Sequence, residues 1–311
     1  MKKCLHWRSH LLFVLLWAST GAHGYQGELH QQLTFLSAKQ LSRCAVVAPL
    51  RNQQHTQPLG DRLSALDTRY VVRANVARAK SNIFARTFRW NYFDVSREGS
   101  ETVIGVFDTR FNERFKNVST RLLRGQKRRD RLEAFGEMLS YLQDVSTPSR
   151  VVPVFTGRWW AFSMQDRFDR YGIDVSRLEA DSDALCNEAV DMLAQVADQD
   201  LALSLRNLLM QSGRRTLNAV EQTISGMPAR WTVFWQPSEK NPGGDFGDYG
   251  AAGNNFGNRV DFRCATAEDP RMRCLLLQGD PLYREFAYTR HRDALRTTML
   301  AMLIVQQQAE F

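Results

Sequence analysis

The apolar residues of this chain return every third or fourth position over long stretches, and almost nowhere do they alternate. Between Asp130 and Asp144, the residues Leu132, Phe135, Leu139 and Leu142 mark one face of a helix. Tyr25 to Val47 carries Leu29, Leu33, Phe35, Leu36 and Leu41, and the stretches Leu193 to Met210 and His291 to Val305 are long enough for core helices. Only Trp231 to Trp235 looks strand-like, and one short run does not make a sheet. The pattern predicts an all-α protein. With 311 residues, 43% of them hydrophobic, the chain can bury an ample core as one large domain or two small ones. Its 19 glycines and 9 prolines exclude collagen and low complexity.

Residues 1–24 read as a secretory signal peptide, leaving 25–311 as the mature domain. Lys2, Lys3 and Arg8 precede the apolar run Leu11 to Trp17, and Ala22 and Gly24 stand at −3 and −1 of a cut before Tyr25. A retained anchor is the alternative, and a cut after Ala22, starting the chain at His23, is also acceptable. No later stretch is long and apolar enough to span a bilayer, so the chain is expected to be periplasmic or secreted and not membrane-spanning. Losing those three basic residues lowers the formal charge from +8 to +5. Cys44, Cys186, Cys264 and Cys274 remain, and an exported chain would pair them. Cys264 and Cys274 flank a turn-rich stretch and pair locally; Cys44 with Cys186 follows by elimination.

Two basic or glycine-rich stretches have bland readings. Arg121 to Arg131 holds six basic residues without interleaved aromatics, a solvated helix end rather than a nucleic-acid motif. The Gly-rich loop in the C-terminal part, Gly243 to Gly257, lacks the strand and helix that a phosphate cradle needs, and reads as an ordered surface loop. Trp159, Trp160, Phe162 and Phe168 read as core packing, His55 as a loop residue, and His291 as a residue near a helix start.

Residues 132–154 carry the chemistry. Ser140 and Asp144 are four apart on one helical face, Pro148 stops the helix, and Arg150 follows. This stretch resembles the His-x3-Asp-x5-His signature of the zinc-dependent phospholipases C and single-strand-specific zinc nucleases. That family is all-helical and exported, and it cleaves phosphodiesters at a trinuclear zinc cluster. Its mature N-terminal residue binds zinc through amine and carbonyl; in the nuclease branch a histidine follows five residues later. Tyr25 and His30 have that spacing. Trp90 to Asp94 is similar to a further family stretch, with Asn91 where a zinc histidine would stand. Gln165 to Asp169 is similar to a His-x3-acid ligand pair, with Gln165 in the histidine's place.

The departures matter as much as the matches. Of six histidines, at 6, 10, 23, 30, 55 and 291, only His30, His55 and His291 survive the cut, too few for the full cluster. The degraded ligand positions are Asn91, Ser140, Arg150 and Gln165, with Asp169 surviving. Tyr25, His30 and Asp144 could still hold a single zinc ion, with Asp144 as the catalytic acid if hydrolysis persists. The resemblance implies a degraded, non-catalytic or weakly active relative that binds a phosphate-containing or other anionic ligand. The alternative is a working hydrolase of phosphoric ester bonds using a reduced metal set. Under the first reading, arginine or lysine replaces the lost zinc charge: Arg150 forms a bidentate pair with Asp169, and Lys80 pairs with Asp144.

Overall fold

In the computed structural model the described residues are 27–47, 65–79, 93, 102–103, 107–108, 111–152, 154, 158–159, 162–163, 166–196, 199–239, 247–264 and 269–308. Residues 1–24, read above as a signal peptide, lie outside them, as do Tyr25, His55, Lys80, Asn91 and Gln165 and the side chains of Trp159, Trp160 and Phe162. The described chain is mostly helical, as its periodicity predicts. In order come α1 (Gly27–Val47), α2 (Ala65–Ala79), α3 (Phe111–Arg124), α4 (Arg128–Asp144), α5 (Pro148–Val151), α6 (Val175–Ala180), α7 (Ser182–Val196), α8 (Leu201–Glu221) and α9 (Pro281–Gln308). Among the described residues strands occur only as two-stranded antiparallel pairs, of which the longest joins Val260–Arg263 to Arg273–Leu276.

Helix α4 is the centre of the packing. Leu132, Phe135, Leu139 and Leu142 are fully buried, as their spacing requires, but so are Met138, Ser140, Gln143 and Asp144 on the other faces. A helix whose second half is buried must find partners for the polar residues there, because an unmet buried polar group costs about 1–3 kcal/mol. Two neighbours supply them. Helix α1 buries Leu29, Leu33, Leu36 and Leu41, and beside them His30, Thr34 and Ser37. Helix α2 approaches so closely that a Cβ at Gly136 would stand 2.1 Å from the Val71 carbonyl oxygen. Glycine here is a matter of contact between backbones. That approach lets Asn75 and Arg78, further along α2, reach the end of α4.

Several sequence readings need correction. Leu193 to Met210 is two helices, because the Asp200 carboxylate accepts from Leu203 N–H at 3.0 Å and starts α8 afresh. Trp231 to Trp235 is a single 3-10 turn, Trp231–Val233, whose flanking Phe234 and Trp235 are buried together rather than alternately. His291 lies well inside α9, which begins ten residues earlier at Pro281. The described part of the Gly-rich stretch is ordered but not superficial: Ala252 and Phe256 are buried, and Gly250 packs against the backbone of residues 232–233. Phe168 is fully buried core. The basic stretch is the solvated helix end it resembles, with Arg121, Arg128 and Arg129 paired to Glu137, Asp67 and Glu133.

Both expected disulfides form. Cys44–Cys186 ties α1 to α7, and Cys264–Cys274 closes the hairpin. Among the described residues no helix is long and apolar enough to cross a membrane.

Candidate functional site

Asp144, at the last turn of α4, has both carboxylate oxygens engaged. His30 Nε2 lies 3.3 Å from Oδ1, and Arg78 Nη1 donates to Oδ2 at 2.5 Å. Arg78 also donates to Ser140 Oγ at 3.2 Å, and its guanidinium carbon sits 3.3 Å from the centre of the Tyr141 ring. Ser140, buried, donates in turn to the Glu137 carbonyl at 2.7 Å. The ring face and the carboxylate together make a seat for a planar cation. Burial alone would raise the Asp144 pKa, but the charge of Arg78, then the bond and charge of His30, then the charge of Arg150, outweigh it. The carboxyl is held well below the usual carboxylate range.

The other side of the imidazole is fixed by α4 itself. His30 Nδ1 donates to Gln143 Oε1 at 2.6 Å, while Gln143 Nε2 donates to Thr34 Oγ1 at 3.0 Å and Thr298 Oγ1 at 3.3 Å. With Nδ1 carrying a hydrogen, the Nε2–Asp144 contact is attractive only if a cation lies on that line, either a second ring proton or a metal ion. The 3.3 Å spacing matches two donors on one tetrahedral zinc, roughly 3.3 Å for bonds of about 2.0 Å. Zinc needs four donors, however, and the other two expected here belong to Tyr25, outside the described residues. Among the described residues no group of three or more His, Cys, Asp or Glu side chains could hold a metal ion. Those residues by themselves do not fit a zinc site, and Arg78 already neutralises Asp144.

A second group of charges adjoins the first. Arg150 stands in the one-turn helix that Pro148 opens, and its charge acts on Asp144, Asp166 and Asp169 alike. Asp166 accepts from Phe168 N–H at 2.8 Å on Oδ1, and on Oδ2 from Trp235 Nε1 at 2.6 Å and the Tyr249 hydroxyl at 3.1 Å. Asp169 is as deeply buried, yet its Oδ1 has no hydrogen-bond partner among the described residues. Burial pushes its pKa well up; the charge of Arg150 opposes this, and those of Asp166 and Asp144 add to it. Burial likewise raises Asp166 and Tyr249.

The expected residues therefore meet only in part. His30 and Asp144 meet, Ser140 and Asp144 share Arg78, and Arg150 lies near enough to Asp169 for its charge to act there. Arg150 is the leading cation acting on Asp169, but the pair is not bidentate, since Asp169 Oδ1 accepts no hydrogen bond among the described residues. Among the described residues the cation in direct contact with Asp144 is Arg78, which sequence reasoning did not single out; Lys80, the expected partner, lies outside them. The missed signal is a helical face: Val71, Ala74, Asn75 and Arg78 follow at helical spacing, which aims Arg78 inward. Asp166 was also missed, its neighbour Gln165 having drawn attention instead. Comparison with protein-family models, with curated proteins and with solved structures finds no match to this chain.

Proposed function

We propose that this is an exported, non-catalytic relative of the zinc-dependent phospholipases C and nucleases, in which side-chain cations occupy the place of the metal cluster. The observation that carries the reading is Asp144, with Arg78 on one oxygen and His30 on the other. Two arginines, Arg78 and Arg150, attend this centre, while burial raises the pKa of Asp166 and Asp169 and so lowers the negative charge opposing them. That balance suits a phosphate-containing or other anionic ligand. The paired disulfides support an oxidising destination, the periplasm or the outside of the cell.

The test is metal analysis of the mature protein together with hydrolysis of a simple phosphodiester, with and without added zinc. The expected result is far less than one equivalent of metal and no turnover. One observation favours a hydrolase with a reduced metal set, namely the zinc-like 3.3 Å spacing of His30 Nε2 and Asp144 Oδ1. Stoichiometric zinc with activity that Asp144→Ala abolishes would establish that second reading and remove the first.

A further inference from the structure

Away from Asp144, the seam between α8 and α9 gathers arginines around one carboxylate. Asp293 lies 2.9 Å from Arg290 Nη2 on Oδ2, and on Oδ1 2.5 Å from Arg296 Nη2 and 3.2 Å from Arg215 Nε. The neighbouring acids are already engaged: Glu188 pairs with Arg292 and Arg296, and Asp181 with Arg292. Arg215 is the poorly served member. Its Nε lies 3.2 Å from Asp293 Oδ1 without well-aligned hydrogen-bond geometry, and among the described residues Nη2 meets the Thr297 hydroxyl at 3.3 Å. The Nε of Arg296 is likewise buried without a hydrogen bond among the described residues. The seam is polar beyond the arginines, with Ser212 and Thr297 hydroxyls 3.4 Å apart and Thr216 accepting from Arg290.

A buried guanidinium is costly unless its charge and donors are matched, and Arg215, which shares the Asp293 carboxylate with two other arginines, is not matched. Burial and the charges of Arg296 and Arg290 outweigh Asp293 and make the Arg215 cation harder to hold. The side chain is also reachable, 28% exposed against 5% for Arg290. We propose that Arg215 and Arg296 bind a small tetrahedral oxyanion of the sulfate or phosphate type at the α8–α9 seam. The inference shares only its ligand class with the function proposed above; the place is different.

The test is thermal unfolding of the mature protein against sulfate, with sodium chloride at equal ionic strength as reference. A saturable rise in Tm beyond the chloride control is expected, and glycerol 3-phosphate in a parallel titration shows whether a monoester also fits. Arg215→Gln and, separately, Arg296→Gln should weaken the apparent affinity roughly tenfold or more, with Arg215→Lys in between. Circular dichroism establishes that each variant is folded, and the partly exposed Arg215 makes the first variant the more tolerant. No rise beyond chloride, or an unchanged rise in folded Arg215→Gln, overturns the site. Loss of the response in Arg150→Gln but not Arg215→Gln also overturns it. That last outcome would put the anion beside Asp144 and leave the earlier reading standing.

Discussion

Asp144 and Asp169 are equally buried aspartates a short way apart in one polar interior, and their ionisation is driven in opposite directions. For both, loss of water is the largest single influence. Asp144 overcomes it through a guanidinium in direct contact and an imidazole on its other oxygen. Asp169 has the fields of Arg150 and Arg170, set against two other carboxylates, and an oxygen that accepts no hydrogen bond among the described residues. The lesson is that a cation rescues a buried carboxylate when it touches it, because hydrogen-bonded contact replaces the lost hydration and nearby charge alone does not.

The sharpest way to break the contrast is to remove the contact. Arg78→Ala should destabilise the fold by about 3–5 kcal/mol, since it strands the Asp144 charge. Chemical unfolding at neutral pH measures it, and a loss below about 1 kcal/mol would mean the pair does little more than an exposed one. Gly136→Ala attacks the same contact through the backbone: separating α2 from α4 should cost about 1–3 kcal/mol by the same measurement.

The pH dependence sharpens the contrast from both limbs. Asp144, depressed in the fold, contributes stability above the unfolded carboxylate pKa of about 4, lost as pH falls through its folded value. Asp169, raised in the fold, does the reverse: its contribution is complete below about pH 4 and disappears as pH rises through its folded value. His291, whose ring lies 5.7 Å from that of Phe168, is pushed down to about 3 by burial and the charge of Arg290. It adds to the acid limb, with stability lost from about pH 6.5 downward by up to about 1.4 kcal/mol per pH unit. Unfolding curves across pH 3–9 with Asp169→Asn should flatten the alkaline limb and leave the acid one in place. A variant that flattens neither would show that Asp169 is already ionised and served. The smallest effect expected is that of Tyr249→Phe, about 1 kcal/mol, because Asp166 keeps its bonds from Trp235 and Phe168.

Much of this architecture was legible because helical periodicity is a local signal. The α4 face from Leu132 to Leu142, with Pro148 to end it, required nothing from the rest of the chain. The break before α8 was also written locally, in Asp200, but an apolar run continuing across it hid the cap. Trp231 to Trp235 misled because aromatic residues favour strands, whereas here one aromatic core collects them from a turn. The partner of Asp144 was harder to find: it depends on how far α2 slides along α4, set by Gly136 meeting Val71, and a linear reading places Lys80 as easily as Arg78. The bare oxygen of Asp169 has no sequence signature, since it concerns which donors fail to arrive.

The Cys44–Cys186 bridge encloses a covalent ring spanning 142 positions, within which every member of the Asp144 and Asp169 groups lies except His30, Thr34, Trp235, Tyr249 and the α9 residues. Such a long ring limits the unfolded chain by roughly 5 kcal/mol on a chain-entropy account. A reduced copy would have to bring its charged interior together as an open polymer, so formation of the bridge is also the moment at which this interior becomes secure.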